Sequence, residues 1–323
     1  MFKQISALAL VLISTFSMAQ SNYPNRPITW VVPFAAGGPT DALARSIADV
    51  TSRQIGQSII IENVPGAGGT IGATKVAKAN PDAYTFLVGH MGYMGAAPAL
   101  YKKLNYDPVA DFEAVFRFPD TPLVLMVRND HPAKNVKELY DYAKKNPDQV
   151  FMGNAGLGSS SHLIAALVAN AAGADVKHVP YKGAGPALID VVGGQIDGMY
   201  DQTNTAFPQI TEKRVRALAV TSKTRLPQLK DVPTLNETIL PGFEASTWYG
   251  IYAPKGTPKI AVEKMQNAFL KAMKDKAYTD KLQAQAIQLL PEQQYLGSSL
   301  AKHTEAEVVR WKAVAAKSNI AMD

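Results

Sequence analysis

The chain of 323 residues contains no cysteine. That absence removes disulfide scaffolds, thiolate zinc sites, iron–sulfur clusters and thiol nucleophiles together, so any chemistry must use oxygen, nitrogen and backbone. Charge is also scarce: 19% of residues are charged, with 33 Lys and Arg against 27 Asp and Glu, a formal excess of +6. The cations are scattered rather than gathered in a stripe, and the aromatics do not interleave with a basic run, which argues against nucleic acid as a partner. A mildly cationic protein suits anionic small molecules instead. At 47% hydrophobic residues the chain is too apolar for disorder. Its length suits two domains, each with its own core.

Long hydrophobic runs are missing as well, except at the start. Residues Met1 to Ala19 carry Lys3, then an apolar stretch from Ile5 to Phe16, then Ser17-Met18-Ala19, the small-x-small pattern of a cleavage site. The stretch is short for a membrane span, which needs about 20 residues. Residues 1–19 therefore read as a cleaved signal peptide, whose loss takes Lys3 away and lowers the charge from +6 to +5. No cysteine follows to carry a lipid anchor, and in a bacterium the expected location is the periplasm.

What the chain does have is a repeated unit. The apolar run Ile28 to Pro33 reads as a buried strand, ends in Phe34-Ala-Ala-Gly-Gly38, and is followed by helical spacing with Pro39, Thr40 and Asp41 in the first turn. Ser58–Glu62 as strand, 63–69 as loop and Thr70–Ala79 as helix repeat the pattern. Tyr84–Val88 is a strand running into a loop at Gly89-His90-Met91-Gly92. Val150–Gly153 leads through Asn154-Ala-Gly-Leu-Gly158 to a serine-rich helix start, Ser159-Ser160-Ser161-His162, with Gly173 as the stop. Val176–Val179 leads through Pro180-Tyr181-Lys182-Gly183 to a helix opening near Pro186 and ending at Gly193-Gly194. Such alternation predicts an α/β fold with largely parallel sheets. Chain crossings are expected at 119–122, before a strand Leu123–Val127, and at 240–242, before a strand Thr247–Tyr252; Ile260–Leu290 is helical by spacing. The expected division is lobe one from 20–122 plus 245–323, and lobe two from 123–244.

Familiar motifs fail on inspection. A dinucleotide fingerprint starting at Gly66 needs glycine where the chain has Ile71, and no phosphate-binding P-loop occurs. A nucleophile elbow at Gly158-Ser-Ser-Ser-His162 needs glycine at 162. The five histidines show no metal-ligand spacing, and neither metal nor cofactor is implied. What remains is one device used in both lobes: a strand ending in a Gly- or Ser-rich loop at a helix N-terminus, where unpaired N–H groups and the helix dipole favour an anion.

The stretch Val32-Pro-Phe-Ala-Ala-Gly-Gly-Pro-Thr-Asp-Ala-Leu-Ala-Arg45 resembles the Bug-type extracytoplasmic solute receptors of tripartite tricarboxylate transporters. Further matches are Glu62-Asn-Val-Pro-Gly-Ala-Gly-Gly69, Ser160-Ser-His162, His178-Val-Pro-Tyr-Lys-Gly183, Arg216-Ala-Leu-Ala-Val-Thr-Ser222, Val232-Pro-Thr234 and Trp248-Tyr-Gly250, in order along nearly the whole chain after the signal. The resemblance implies a type II periplasmic binding protein, with two α/β lobes, a hinge and a cleft that closes on one ligand. It implies no catalysis, a small carboxylate ligand, a monomer, and membrane permease subunits as partners. Carried over by position, ligand contacts fall on Phe34, Ala35, Ala36, Gly37, Gly38, Thr40 and Asp41 in lobe one. In lobe two they fall on Asn154, Ser159, Ser160, Ser161 and His162, with Tyr181, Lys182, Gly183 and Asp201. His90 is expected at a strand end facing the cleft, and Phe34, His90, Tyr93, Tyr181 and Trp248 are candidate walls around an aromatic dicarboxylate such as terephthalate. Pro39 removes one amide donor from the first loop. Two other functions fit parts of the sequence: an exported serine hydrolase using Ser160 with His162, and a periplasmic sensor that presents its ligand to a membrane kinase.

Overall fold

The computed structural model describes residues 23–318; the expected signal peptide, residues 1–19, lies outside them. The first strand, β1 (Ile28–Val32), is buried throughout its apolar run apart from a partly covered Thr29. It sits between β2 (Ile59–Asn63) and β3 (Thr85–His90), parallel to both. Helix α1 (Pro39–Ile55) follows β1 and buries Leu43, Ala44, Ile47, Ala48 and Val50, the spacing of one helical face, before Gly56 ends it at φ 77°. Helix α2 (Thr70–Ala77) follows β2. After β3 the chain winds into a π-helical turn, Met91–Ala96, continuous with α3 (Ala97–Leu100), where the glycine pattern had suggested a loop.

The first sheet is completed by β4 (Phe112–Arg117) and β11 (Tyr249–Pro254), in the order β2-β1-β3-β11-β4. The second sheet holds β5 (Thr121–Arg128), β6 (Phe151–Asn154), β7 (Lys177–Pro180), β8 (Gly198–Gln202), β9 (Val215–Val220) and β10 (Ser246–Thr247). Its order is β10-β5-β8-β6-β7, with β9 also on β5. The sheets are mixed rather than largely parallel. Strand β11 runs antiparallel to both its neighbours, and β5 runs antiparallel to β8, β9 and β10. These are the strands by which the chain changes sheets, and a strand that enters from the other lobe is free of the parallel crossover rule.

The changeovers are short. Between β4 and β5 lie residues 118–120, where Arg117 grips both oxygens of Asp120 at 2.8 Å. Between β10 and β11 lies Trp248 alone, buried and donating from Nε1 to Glu307 at 3.0 Å. The single strand expected at Thr247–Tyr252 is therefore two, one in each sheet. Helices α4 (Val136–Lys145), α5 (Ser160–Ala172), α6 (Ala184–Val192) and α7 (Thr203–Thr211) cover the second sheet. The C-terminal helices α8 (Lys259–Ala272), α9 (Lys276–Ala284) and α10 (Gly297–Ser318) return to the first, where Phe269 stacks on Phe116 at 4.0 Å. The helical run expected from 260 to 290 breaks at Asp275, whose carboxylate caps α9 through Tyr278 N–H.

Candidate functional site

Parallel strands end on the same edge of a sheet, and the helices that follow them begin there. Here β1 feeds α1, β6 feeds α5, β7 feeds α6 and β8 feeds α7, and the starts of these helices meet across the two lobes. An enclosed cavity of about 10 Å³ lies at the meeting point, lined by Gly38, Pro39 and Thr40 from the start of α1, Ser160 from α5, Ala184 from α6 and Gln202 from the N-cap of α7, with Phe34, His90 and Ala155. Four helix N-termini thus converge, and no Lys or Arg side chain is among the lining groups. Neither Gly38 nor Gly183, the N-caps of α1 and α6, has a side chain to cap its helix.

The lobes are in direct contact around this cavity. Ala35 N–H donates to the Lys182 carbonyl at 2.9 Å, and Asn204 Nδ2 donates to the Pro39 carbonyl at 3.0 Å. Glycine permits a close approach: a Cβ built on Gly185 would lie 3.1 Å from the backbone of Gly37 and Gly38. Farther out, the Gly66–Gly68 loop meets Gly156 and Leu157, and Tyr101 OH bonds to the carbonyls of both Ala67 and Leu157 at 3.2 Å. Beyond them opens a wider cleft of about 850 Å³, lined mainly by apolar groups including Tyr101, Leu157, Pro180 and Pro186, with His162, Tyr181 and Lys182 on its lobe-two side.

The residues expected at the site divide into three groups. Phe34, Gly38, Thr40, His90 and Ser160 line the enclosed cavity. His162, Tyr181 and Lys182 line the outer cleft. The rest shape these surfaces from behind. Asp41 accepts from Gly37 N–H at 3.0 Å, Arg45 at 2.9 Å and Asn63 at 2.9 Å, so both carboxylate oxygens hold the first loop. Burial alone would raise its pKa, but those bonds outweigh it and hold the carboxyl below its ordinary value. Gly37 N–H and Ala35 N–H are thereby both engaged, and of this loop and the start of α1 it is Phe34, Gly38, Pro39 and Thr40 that reach the cavity wall. Ser159 caps α5 through His162 N–H and shares a bond with Ser161, which accepts from Ala155 N–H at 3.0 Å. Of the three serines, Ser160 alone lines the cavity. Asn154 accepts from Gly156 N–H at 3.0 Å, Ala36 belongs to the same first loop, and Gly183 backs onto Ala35. Asp201 is fully buried, with Oδ2 accepting from Thr205 at 2.7 Å and Oδ1 without a hydrogen-bond partner among the described residues. Burial, only partly offset by hydrogen bonding from Thr205 and from the Gln202 backbone, pushes its pKa up to about 7.

Ser160 is flanked by His90, Nε2 to Oγ 3.1 Å, and by Gln202, Nε2 to Oγ 3.0 Å. His90 Nδ1 accepts from Gly92 N–H at 2.9 Å, so the proton sits on Nε2 and that atom donates. Burial lowers the His90 pKa to about 3. A histidine with its donor nitrogen towards the serine is no general base for it, and His162 directs Nδ1 to Gly158 N–H at 3.3 Å. Burial, with help from His178, lowers the His162 pKa to about 4. The serine-hydrolase arrangement is therefore not assembled. Two of the proposed aromatic walls also lie elsewhere: Tyr93 packs under the loop with its hydroxyl on the Val88 carbonyl, and Trp248 faces Glu307 and His303. Sequence reasoning missed Gln202, Asn204 and Asn63. The alternation of a strand placed the neighbour of Asp201 on the opposite face, the one toward the cavity, and that signal was present in the sequence.

A profile of the tripartite tricarboxylate transporter family receptor matches residues 43–320. The chain belongs to that family. It is similar to the periplasmic binding protein BugD, 40% identical with TM-score 0.90, covering 93% of this chain and 100% of that one. It is similar also to MatC of Rhodopseudomonas palustris with bound malate, 39% identical, TM-score 0.87, covering 90% and 99%. A third likeness is Rpa4515 of R. palustris with adipate, 35% identical, TM-score 0.87, covering 93% and 99%. The receptor is accordingly a periplasmic solute-binding protein and not an enzyme, and among the described residues no helix is long and apolar enough to cross a membrane.

Proposed function

We propose that this receptor captures a small di- or tricarboxylate between its lobes and delivers it to the permease subunits of a tripartite tricarboxylate transporter. The observation that carries the reading is the convergence of four helix N-termini on one enclosed cavity without a cationic side chain. Backbone amides and the positive ends of helix dipoles hold a carboxylate there, each such end contributing about 0.3–1 kcal/mol and more in a partly buried site. Ser160 adds a hydroxyl donor. The relatives with malate and adipate support the same class of ligand.

A dicarboxylate is far larger than the enclosed cavity, so capture requires the lobes to part and close again around it. The lobes divide at 118–120 and at Trp248, and closure is stabilised by the ligand's greater affinity for the closed form. One carboxylate sits at the helix starts and the body extends towards the outer cleft. The apolar lining of that cleft, Tyr101, Leu157 and Tyr181, favours a second reading in which the body is a ring, as in terephthalate. The protein is exported by a signal peptide at 1–19 and acts as a monomer. Calorimetry against di-, tri- and aromatic carboxylates should find a binder at micromolar affinity or tighter. Silence across the panel would sink the proposal.

A further inference from the structure

Gln202 is a buried side chain on the cavity wall, 3% exposed. Its Nε2 donates both hydrogens, to Ser160 Oγ at 3.0 Å and to Thr247 Oγ1 at 3.1 Å, the latter on the strand next to the changeover between sheets. Its Oε1 has no partner among the described residues. A buried amide oxygen without a donor is costly, and native proteins keep such groups where something else completes them. Ser160 Oγ, meanwhile, accepts from both Gln202 and His90 and so retains its own proton to give. One wall of the cavity therefore offers a donor and, one side chain away, an acceptor.

We infer that Gln202 Oε1 is the specificity-determining group of the binding site, and that it accepts a hydrogen bond from a hydroxyl next to the carboxylate that Ser160 and the α1 N-terminus hold. A plain carboxylate has only acceptors and leaves the amide oxygen unpaired; a 2-hydroxy carboxylate supplies both a negative oxygen for Ser160 and an O–H for Gln202. An ammonium would also donate, but no carboxylate lines the cavity to balance its charge. The inference rests on the carboxylate-receptor reading and narrows it to hydroxy acids.

The test measures binding by calorimetry for matched pairs that differ by one hydroxyl: succinate and malate, glutarate and 2-hydroxyglutarate, tricarballylate and citrate. For the tightest pair the hydroxy acid should win by on the order of 10- to 100-fold, the effect of leaving a buried acceptor unpaired. In Gln202→Met, which keeps the shape and removes the acceptor, that ratio should fall to within about 3-fold of one while the parent acid still binds. A second measurement needs no variant: a 2-fluoro acid, similar in size to the hydroxy acid but unable to donate, should bind the wild-type protein no better than the parent. Equal or tighter binding of the parent acid, a ratio that survives in Gln202→Met, or tight binding of the fluoro acid overturns the inference. So does a 2-amino acid that outcompetes the hydroxy acid, or a ligand set confined to unsubstituted acids such as terephthalate; in both cases the carboxylate receptor itself stands. Silence from every acid removes both.

Discussion

The two ends of the interlobe cleft are built on opposite principles. The inner end is small, enclosed and neutral: helix starts from both lobes, Ser160 between two donors, and His90 held uncharged by burial. The outer end is wide and open, with aromatic and proline side chains, and carries a cation, Lys182. The contrast separates two tasks that a count of charges confuses. An anion is recognised where dipoles are fixed and water is excluded, because there each partial charge acts in a low dielectric. The cation stands where water screens it, so it contributes to attraction more than to fit.

The sharpest way to break this comparison is to hold the ends apart. Gly185 sits at the start of α6 against the backbone of Gly37 and Gly38, and a valine there has no space while the lobes are closed. Gly185→Val should weaken carboxylate binding by about 100-fold or more and abolish the ligand-dependent fall in radius of gyration by small-angle scattering, with the melting temperature of the unliganded protein little changed. Next in size is the inner donor. Ser160→Ala should cost about 1.5–3 kcal/mol of binding, the range for hydrogen bonds to charged groups. An unchanged dissociation constant would mean that the carboxylate lies elsewhere.

Asp201 sharpens the same picture through stability. Its folded pKa, raised to about 7, lies above its unfolded value, so the folded state holds the proton more tightly and stability falls as pH rises from about 4 to 7. The group faces Thr205 from α7, the Gln202 backbone and Tyr249 from β11, and among the described residues no cation acts on it. Asp201→Asn should therefore raise unfolding stability at pH 8 by about 1–3 kcal/mol and by almost nothing at pH 4. A gain that is equal at both pH values would contradict the buried, protonated carboxyl. The smallest effect belongs to the mouth: Lys182→Ala should change affinity for a four-carbon diacid by less than about 3-fold, mostly through the association rate at low salt.

How legible this was in the sequence depended on range. The β1–loop–α1 unit could be read because every signal is local: the apolar run, Gly37-Gly38, Pro39 in the first turn, and the buried face of α1. The helix start at Ser159–His162 was legible for the same reason. Strand direction was not, since β5 and β11 are antiparallel only because the chain enters each sheet from the other lobe. The turn after His90 read as a loop from its glycines, yet packing of Tyr93 and Met94 in the core winds it into a π-helix. The site was legible as loops and illegible as atoms. Nothing in the spacing of Asp41 tells that Asn63 and Arg45 occupy its oxygens, or that two of three adjacent serines bond within their own loop while the third faces the cavity.

The most direct test of the central claim is a crystal structure of the receptor with its tightest carboxylate. The account predicts one carboxylate at the inner end, within hydrogen-bonding distance of the Gly38 or Thr40 amides and Ser160 Oγ, with no Lys or Arg at ion-pair distance from it. A carboxylate paired with Lys182 in the outer cleft, and no anionic oxygen at the helix starts, would contradict it.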